Sequence, residues 1–311
     1  MTTVLFSHPD CDAHVTPAGH PEQVARLAHI RAALDSPDFG ALRREAAPLA
    51  RNSDLLGCHP QRYIDRVRGA VPNSGWAALD GDTNLAPGSY IAAQRAVGGN
   101  LAAVDAVMTA AAGNAFVACR PPGHHAERET AMGFCLFGNV AIAAHRALDH
   151  HGLARVAVLD FDVHHGNGTQ DLVWDEPRIL FASSHQMPLY PGSGAASERG
   201  GHDNVLNAPL APGSGATEMR AAWGDLILPA VKDFAPELIL ISAGFDAHRA
   251  DPLANLNWTV ADFAWLTGKI CDLAAEVCDG RVVSSLEGGY DLEALAQSVA
   301  AHVQVLMERT E

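Results

Sequence analysis

Positive charge is scarce in this 311-residue sequence: 21 Lys and Arg against 36 Asp and Glu leave a formal net charge of −15. A surface that negative repels phosphate backbones and anionic lipid headgroups unless a local basic patch overrides it. The densest basic cluster is Arg43-Arg44, so neither nucleic acid nor a membrane is expected as a partner. Paired cysteines are lacking too. Cys11, Cys58, Cys119, Cys135, Cys271 and Cys278 form no CxxC and no short repeated spacing, which argues against a disulfide framework and a cysteine zinc site. No segment reaches the roughly 20 apolar residues that a membrane-spanning helix requires, and no basic stretch precedes the short apolar run in MTTVLFSHP. The expectation is a soluble, cytoplasmic protein. No Gly/Ser- or Pro-rich linker, repeat or low-complexity tract divides the chain, so residues 1–311 read as one domain. Its 48% hydrophobic and 18% charged positions suit a chain that buries a core.

Histidine, by contrast, is abundant, with sixteen residues. It is the commonest metal ligand and the side chain that titrates near neutrality, so its placement matters. Short, mostly unbroken apolar runs at 3–7, 115–119, 155–161, 178–183, 237–242 and 281–286 read as strands buried on both faces. Helical patterns occupy 21–35, 89–112, 138–150, 216–233, 259–278 and 291–308, several opened by Ser, Thr, Asn or Asp. Strand and helix in alternation predict an α/β fold around a mainly parallel sheet. The Gly-, Pro-, Ser- and Asn-rich stretches 71–90 and 184–215 read as long loops.

Ligands of open α/β sheets bind beyond the carboxyl ends of the strands. Five strand ends here deliver His, Asp and Tyr: Arg120-Pro-Pro-Gly-His124-His125, Asp160-Phe-Asp162-Val-His164-His165-Gly-Asn167, Ser183-Ser184-His185, Ala243-Gly-Phe-Asp246-Ala-His248 and Glu287-Gly-Gly-Tyr290-Asp291. In an extended segment Asp162 and His164 would point to the same side. Asp246 would add a third ligand, and three ligands with an open position describe a catalytic zinc site. Such an oxygen-rich set would also accept iron(II) or cobalt. Hydrolysis further needs a base, a proton donor and an oxyanion contact. His124 and His125 are the acid/base candidates, with Asp160 and Asn167 each able to accept the distal N–H of one of them. Tyr290, behind two glycines, is the candidate oxyanion donor.

The motifs PPGHHA, GFCLFGNVAIAA, LDFDVHHGNGT, SSHQMPLYPGSG, ISAGFDAHRADPL and LEGGYD, in this order and at these separations, resemble the zinc-dependent histone deacetylase family. The resemblance is to its class II-like bacterial branch, the histone deacetylase-like amidohydrolases of the arginase/deacetylase superfamily. HPDCDAHVTPAGHPEQVARL and LDGDTNLAPGSY fit the same family, which extends the resemblance over roughly residues 8–300. It implies the arginase/deacetylase fold, one zinc held by Asp162, His164 and Asp246, and water attack on an acetamide. It also implies His125 as base and acid, His124 as its electrostatic partner, and Tyr290 on the oxyanion. Phe134 and Tyr190, with Gly133 beside them, would line a tunnel for an acyl-lysine-like stem; apart from the resemblance, acyl-chain preference is expected to depend on a tunnel floor involving Met132, Cys135 and Leu286. A structural potassium ion is implied near Asp160, Ser183, Ser184 and the backbone of Asp162 and His164. Asn167 stands where other branches carry Asp, which lowers the basicity of its histidine.

Leu253 occupies the place of an acidic gatekeeper in acetylpolyamine-specific relatives, which tilts the expected substrate towards acyl-lysine. Asp80 and Asp82 could nevertheless reach the rim, so an acetylpolyamine or another small acetylated metabolite stays open, as does a non-catalytic acyl-group sensor. A two-metal, arginase-like site is disfavoured because Asp246-Ala-His248 lacks the extra Asp, and His248 reads as a structural histidine. A homo-oligomer is compatible with the loops at 10–22 and 71–90.

Overall fold

The unbroken apolar runs form the inner strands of one parallel sheet in the computed structural model, which describes residues 2–310. Ten strands occur among them: β1 Thr3–Ser7, β2 Arg43–Ala46, β3 Ala77–Ala78, β4 Asn84–Leu85, β5 Asn114–Val117, β6 Val156–Asp160, β7 Ile179–Gln186, β8 Val205–Leu210, β9 Ile239–Ala243 and β10 Val282–Leu286. β3 and β4 pair as a small antiparallel ribbon. The other eight lie in the order β2-β1-β5-β10-β9-β6-β7-β8, every neighbour parallel. Strands β5, β6, β7, β9 and β10 are buried along their whole length, as strands covered on both faces must be.

The helices are α1 Ala25–Leu34, α2 Asn52–Leu55, α3 Gln61–Gly69, α4 Ser89–Met108, α5 Asn139–Asp149, α6 Asn167–Val173, α7 Ala216–Ala221, α8 Leu228–Phe234, α9 Val260–Val277 and α10 Leu292–Glu308. One packed group contains α4, α5 and α6; a second contains α1, α10, α9 and α8. Among the described residues no helix is long and apolar enough to cross a membrane.

Three departures from the expected elements have physical causes. Edge strand β2 reads Arg-Arg-Glu-Ala and is largely exposed, so it carries none of the apolar signal of the inner strands, and its charges protect an open edge. Strand β8 and the end of β7 fall inside 184–215, expected as a loop; the Asn and Pro of Val-Leu-Asn-Ala-Pro-Leu mask a strand that tolerates Pro209 because it too is an edge. The helix expected over 216–233 is broken by a widened turn at Ala222–Ile227. Pro229, with no N–H to bond back, follows two residues after it, and the buried Trp223 of that turn donates its indole N–H to Ser184 Oγ at 2.9 Å.

Candidate active site

β6 ends at Asp160, so Asp162 and His164 lie in the bend beyond the strand rather than on one face of it. In that bend the Asp162 N–H donates to Asp160 Oδ1 and the His164 N–H to Asp162 Oδ1, and these main-chain-to-carboxylate bonds, not the strand pleat, hold the two residues together. Asp246 follows β9, and the ligating atoms of Asp162, His164 and Asp246 lie within 4.8 Å of one another, all three residues buried. His164 Nδ1 is 3.1 Å from Asp162 Oδ1 and 3.1 Å from Asp246 Oδ2. The carboxylates are held by main-chain donors: Asp162 accepts the N–H of His164 at 2.9 Å and of Gly288 at 2.8 Å, and Asp246 accepts the N–H of Val163 at 2.9 Å. A Cβ on Gly288 would collide with both carboxylates, which is why the backbone can approach so closely.

Burial, then the neighbouring Asp162, pushes Asp246 above the usual carboxylate range. Burial pulls the His164 imidazole down, yet the two carboxylates outweigh it and hold it at about 10. Two buried carboxylates closing on one imidazole demand a positive charge, and this oxygen and nitrogen donor set fits a divalent transition ion such as zinc. The other His and acidic group of comparable closeness among the described residues, Asp105, His150 and His151, already spends both Asp105 oxygens on Arg146, at 3.0 and 2.8 Å.

His124 and His125 stand side by side beyond β5, ring centroids 4.0 Å apart and both buried. Glu287 at the end of β10 anchors their loop by accepting the N–H of Gly123 at 2.6 Å and of His124 at 3.2 Å. His124 Nδ1 lies 3.0 Å from Asp160 Oδ2, and His125 Nδ1 lies 2.7 Å from Asn167 Oδ1. These partners split the pair. Burial lowers both imidazoles, but the carboxylates of Asp162 and Asp160 more than reverse this for His124 and hold it at about 10. For His125, burial and the charges of His124 and His164 act together, pushing it well below its ordinary value. The surroundings thus favour the protonated form of His124 and the neutral form of His125.

A cavity of about 260 Å³ opens above them, lined by His125, His164, Tyr290, Gly133, Phe134, Leu189, Tyr190, Leu253 and Asp82. Burial, then Asp246, keeps the Tyr290 phenol well above its ordinary value, so it is protonated and can donate. Gly133 lies under the His125 ring, where a Cβ would collide. Phe134, at φ +68°, is held by donating its N–H to Thr83 Oγ1 at 3.1 Å, and its ring meets Tyr290 edge-on at 5.8 Å.

Two expectations need correction. Of the rim acids only Asp82 lines the cavity; Asp80 instead accepts the N–H groups of Asp82 and Thr83 at 3.1 and 2.6 Å, organising its own loop. Met132, Cys135 and Leu286 are not at the floor, which His125 and His164 close. Cys135 is buried with its sulfur 3.4 Å from the His125 N–H, and Leu286 is a sheet residue of β10. Asp160 and Ser183 are register partners across β6 and β7, with the Ser183 hydroxyl 2.9 Å from His185 Nδ1. His248 is half-buried and accepts the Ala250 N–H at 3.2 Å, outside the cavity lining.

Sequence reasoning missed three supporting acids: Glu127, Asp251 and Glu287. Asp251 accepts the N–H of Tyr290 at 2.7 Å and of Leu253 at 3.0 Å, tying the loops after β9 and β10 together. Position beyond a strand end was the signal available for Glu287; Asp251 and Glu127 act on backbone and amide groups that no spacing rule marks.

The histone deacetylase domain family matches residues 20–306. The chain belongs to the histone deacetylase family. It is 40% identical to the histone deacetylase-like amidohydrolase of Pseudomonas aeruginosa, over 88% of this chain and 73% of that protein. It is 39% identical to the Homo sapiens polyamine deacetylase HDAC10, over 99% of this chain but 48% of that longer protein. The crystal structure of the HDA15 HD domain superposes with a TM-score of 0.93 at 32% identity, covering 99% of this chain and 89% of that one. The parallel eight-stranded sheet flanked by helices is therefore the histone deacetylase fold, and family membership places the protein among the deacetylases, enzymes that hydrolyse.

Proposed function

We propose that this histone deacetylase family member is a zinc-dependent amidohydrolase that removes acetyl or other short acyl groups from lysine side chains of proteins or peptides. The observation that carries the reading is the convergence of His125, His164 and Tyr290 on one cavity of about 260 Å³. A base, a residue of the metal-binding trio and a hydroxyl donor meet where an amide would lie. Asp162, His164 and Asp246 would hold the zinc, which supplies Lewis acidity towards the amide carbonyl and lowers the pKa of a water.

The remaining work falls to side chains of this chain. His125 is neutral and presents Nδ1 to Asn167, which leaves Nε2 to take the proton of the attacking water and pass it to the departing amine. His124, cationic against Asp160, stabilises the negative charge that builds up. The Tyr290 hydroxyl donates to the developing oxyanion. Phe134 and Tyr190 would flank the aliphatic stem, with Gly133 beside them and the apolar Leu253 at the mouth. Asp160, Ser183 and Ser184, with the backbone of Asp162 and His164, would hold a potassium ion, which would supply a fixed positive charge to that buried acidic region. Acylated amines rather than nucleic acid or lipid as partners accord with the charge of −15, and a cytoplasmic setting belongs to the same reading.

A second reading, deacetylation of acetylpolyamines, is favoured by the presence of Asp82 in the cavity wall. Steady-state turnover of an acetyl-lysine peptide, an acetylpolyamine and a small neutral acetamide, with zinc and after its removal, separates the readings. Zinc-dependent turnover led by the peptide is expected. Preference for the polyamine keeps the chemistry and moves the substrate; no turnover of any member with zinc bound contradicts the proposal.

A further inference from the structure

We infer that Glu127 is a positioning residue that sets the tautomer of His125 by fixing the orientation of the Asn167 amide. The inference deepens the reading of His125 as base, on which its functional meaning rests. His125 Nδ1 has an amide for a partner, 2.7 Å away, and an amide offers two opposite faces: its oxygen accepts and its nitrogen donates. With the oxygen inward, Nδ1 carries the proton and Nε2 is a free acceptor facing the cavity. With the amide turned over, Nδ1 must accept, the proton moves to Nε2, and the ring can no longer take a proton from water.

Nothing in asparagine itself chooses between these faces. Glu127 does, because its Oε1 lies 2.8 Å from Asn167 Nδ2 and a carboxylate can only accept. Turning the amide over would set oxygen against oxygen there and leave the NH2 without its charged partner, while the Met132 sulfur at 3.4 Å is a further acceptor on the same side. The neighbouring main chain prevents the groups from drifting apart. Asn167 opens α6, the next residue, Gly168, has no room for a Cβ against the backbone of His125 and Ala126, and the Thr169 N–H donates to His124 O at 3.0 Å. Glu127 is held in turn by exchanging main-chain hydrogen bonds with Thr130 at 3.0 and 3.4 Å. His124 shows the contrast: its partner Asp160 is itself a carboxylate and specifies that tautomer without a third residue. An asparagine at position 167 needs Glu127 to do what an aspartate would do alone.

The test is a long-range ¹H–¹⁵N correlation spectrum of histidine-labelled protein at pH 8, with and without zinc, read beside kcat and KM on the acetyl-lysine peptide. In the unaltered chain His125 should be protonated at Nδ1 and bare at Nε2. Glu127→Gln, whose amide can present either face, should give a mixture or the Nε2–H form, lowering kcat roughly 10–100-fold, within what a positioned base contributes, and KM less than about twofold. Combining Glu127→Gln with Asn167→Asp should restore the Nδ1–H tautomer and most of kcat, because a carboxylate at position 167 can only accept from Nδ1; Asn167→Asp alone, although it places two carboxylates together, should keep the Nδ1–H tautomer as well. An Nε2–H tautomer in the unaltered chain, or an unchanged tautomer in Glu127→Gln, overturns the inference. The expected tautomers with no turnover of any substrate would leave Glu127's role standing and remove the reading of His125 as base.

Discussion

At and beneath the cavity floor, His125 and, behind it, Asp162, Asp246 and His124 are all at most 4% exposed, and their ring and carboxylate atoms are held by partners within 3.1 Å. At the mouth, Tyr190 is 39% exposed, and Leu253 and Asp82 are only half-buried. The floor is specified by backbone N–H groups and by glycines that leave room for charge; the mouth is a few side chains on loops. A buried polar cluster tolerates almost no loss of a partner, whereas an exposed wall can be exchanged at little structural cost. Chemistry should therefore be brittle and substrate choice adjustable.

The largest expected effect is at the floor. Asp246→Ala should abolish stoichiometric zinc binding and reduce turnover to the assay background; retention of both would remove the trio as the metal site. Tyr290→Phe should lower kcat by about 10²–10³, the size of one lost oxyanion donor, with KM little changed. A KM effect alone would make the phenol a wall residue. At the mouth, Leu253→Glu should shift the ratio of kcat/KM towards an acetylpolyamine by about tenfold while leaving peptide kcat near its original value, since a rim charge acts mainly on encounter. An equal loss on every substrate would break the distinction between floor and mouth.

The smallest expected effect lies outside the site. His302 is buried between the hydroxyls of Thr267 and Ser284 at 2.7 and 2.9 Å, and burial pulls its imidazole down to about 3 from an ordinary 6.5. The unfolded chain binds this proton more readily, so stability is full above pH 6.5 and falls as pH drops towards 3. Denaturant midpoints across that window should decline, and His302→Gln should flatten the decline.

The same contrast governs what could be read from residues alone. Strand β1 coincides with its apolar run, and the strand-end rule gathered Asp162, His164, Asp246, His124, His125 and Tyr290, because buried parallel strands and their carboxyl ends carry strong local signals. Edge strands β2 and β8 were silent, since an edge needs no continuous apolar run. Gly133, Phe134 and Tyr190 entered through family resemblance, because loop walls have no periodicity, and Asp80 misled because an acid near a rim can equally be satisfied by its own loop. Glu127 became legible only once Asn167 was seen to need an oriented amide.

The most direct test of the account is zinc titration into chelator-stripped protein, following bound metal and acetyl-lysine peptide hydrolysis together. One zinc per chain should bind, with activity rising in proportion and neither signal returning in Asp246→Ala. Hydrolysis that persists without metal, or zinc that binds equally well to Asp246→Ala, would contradict it.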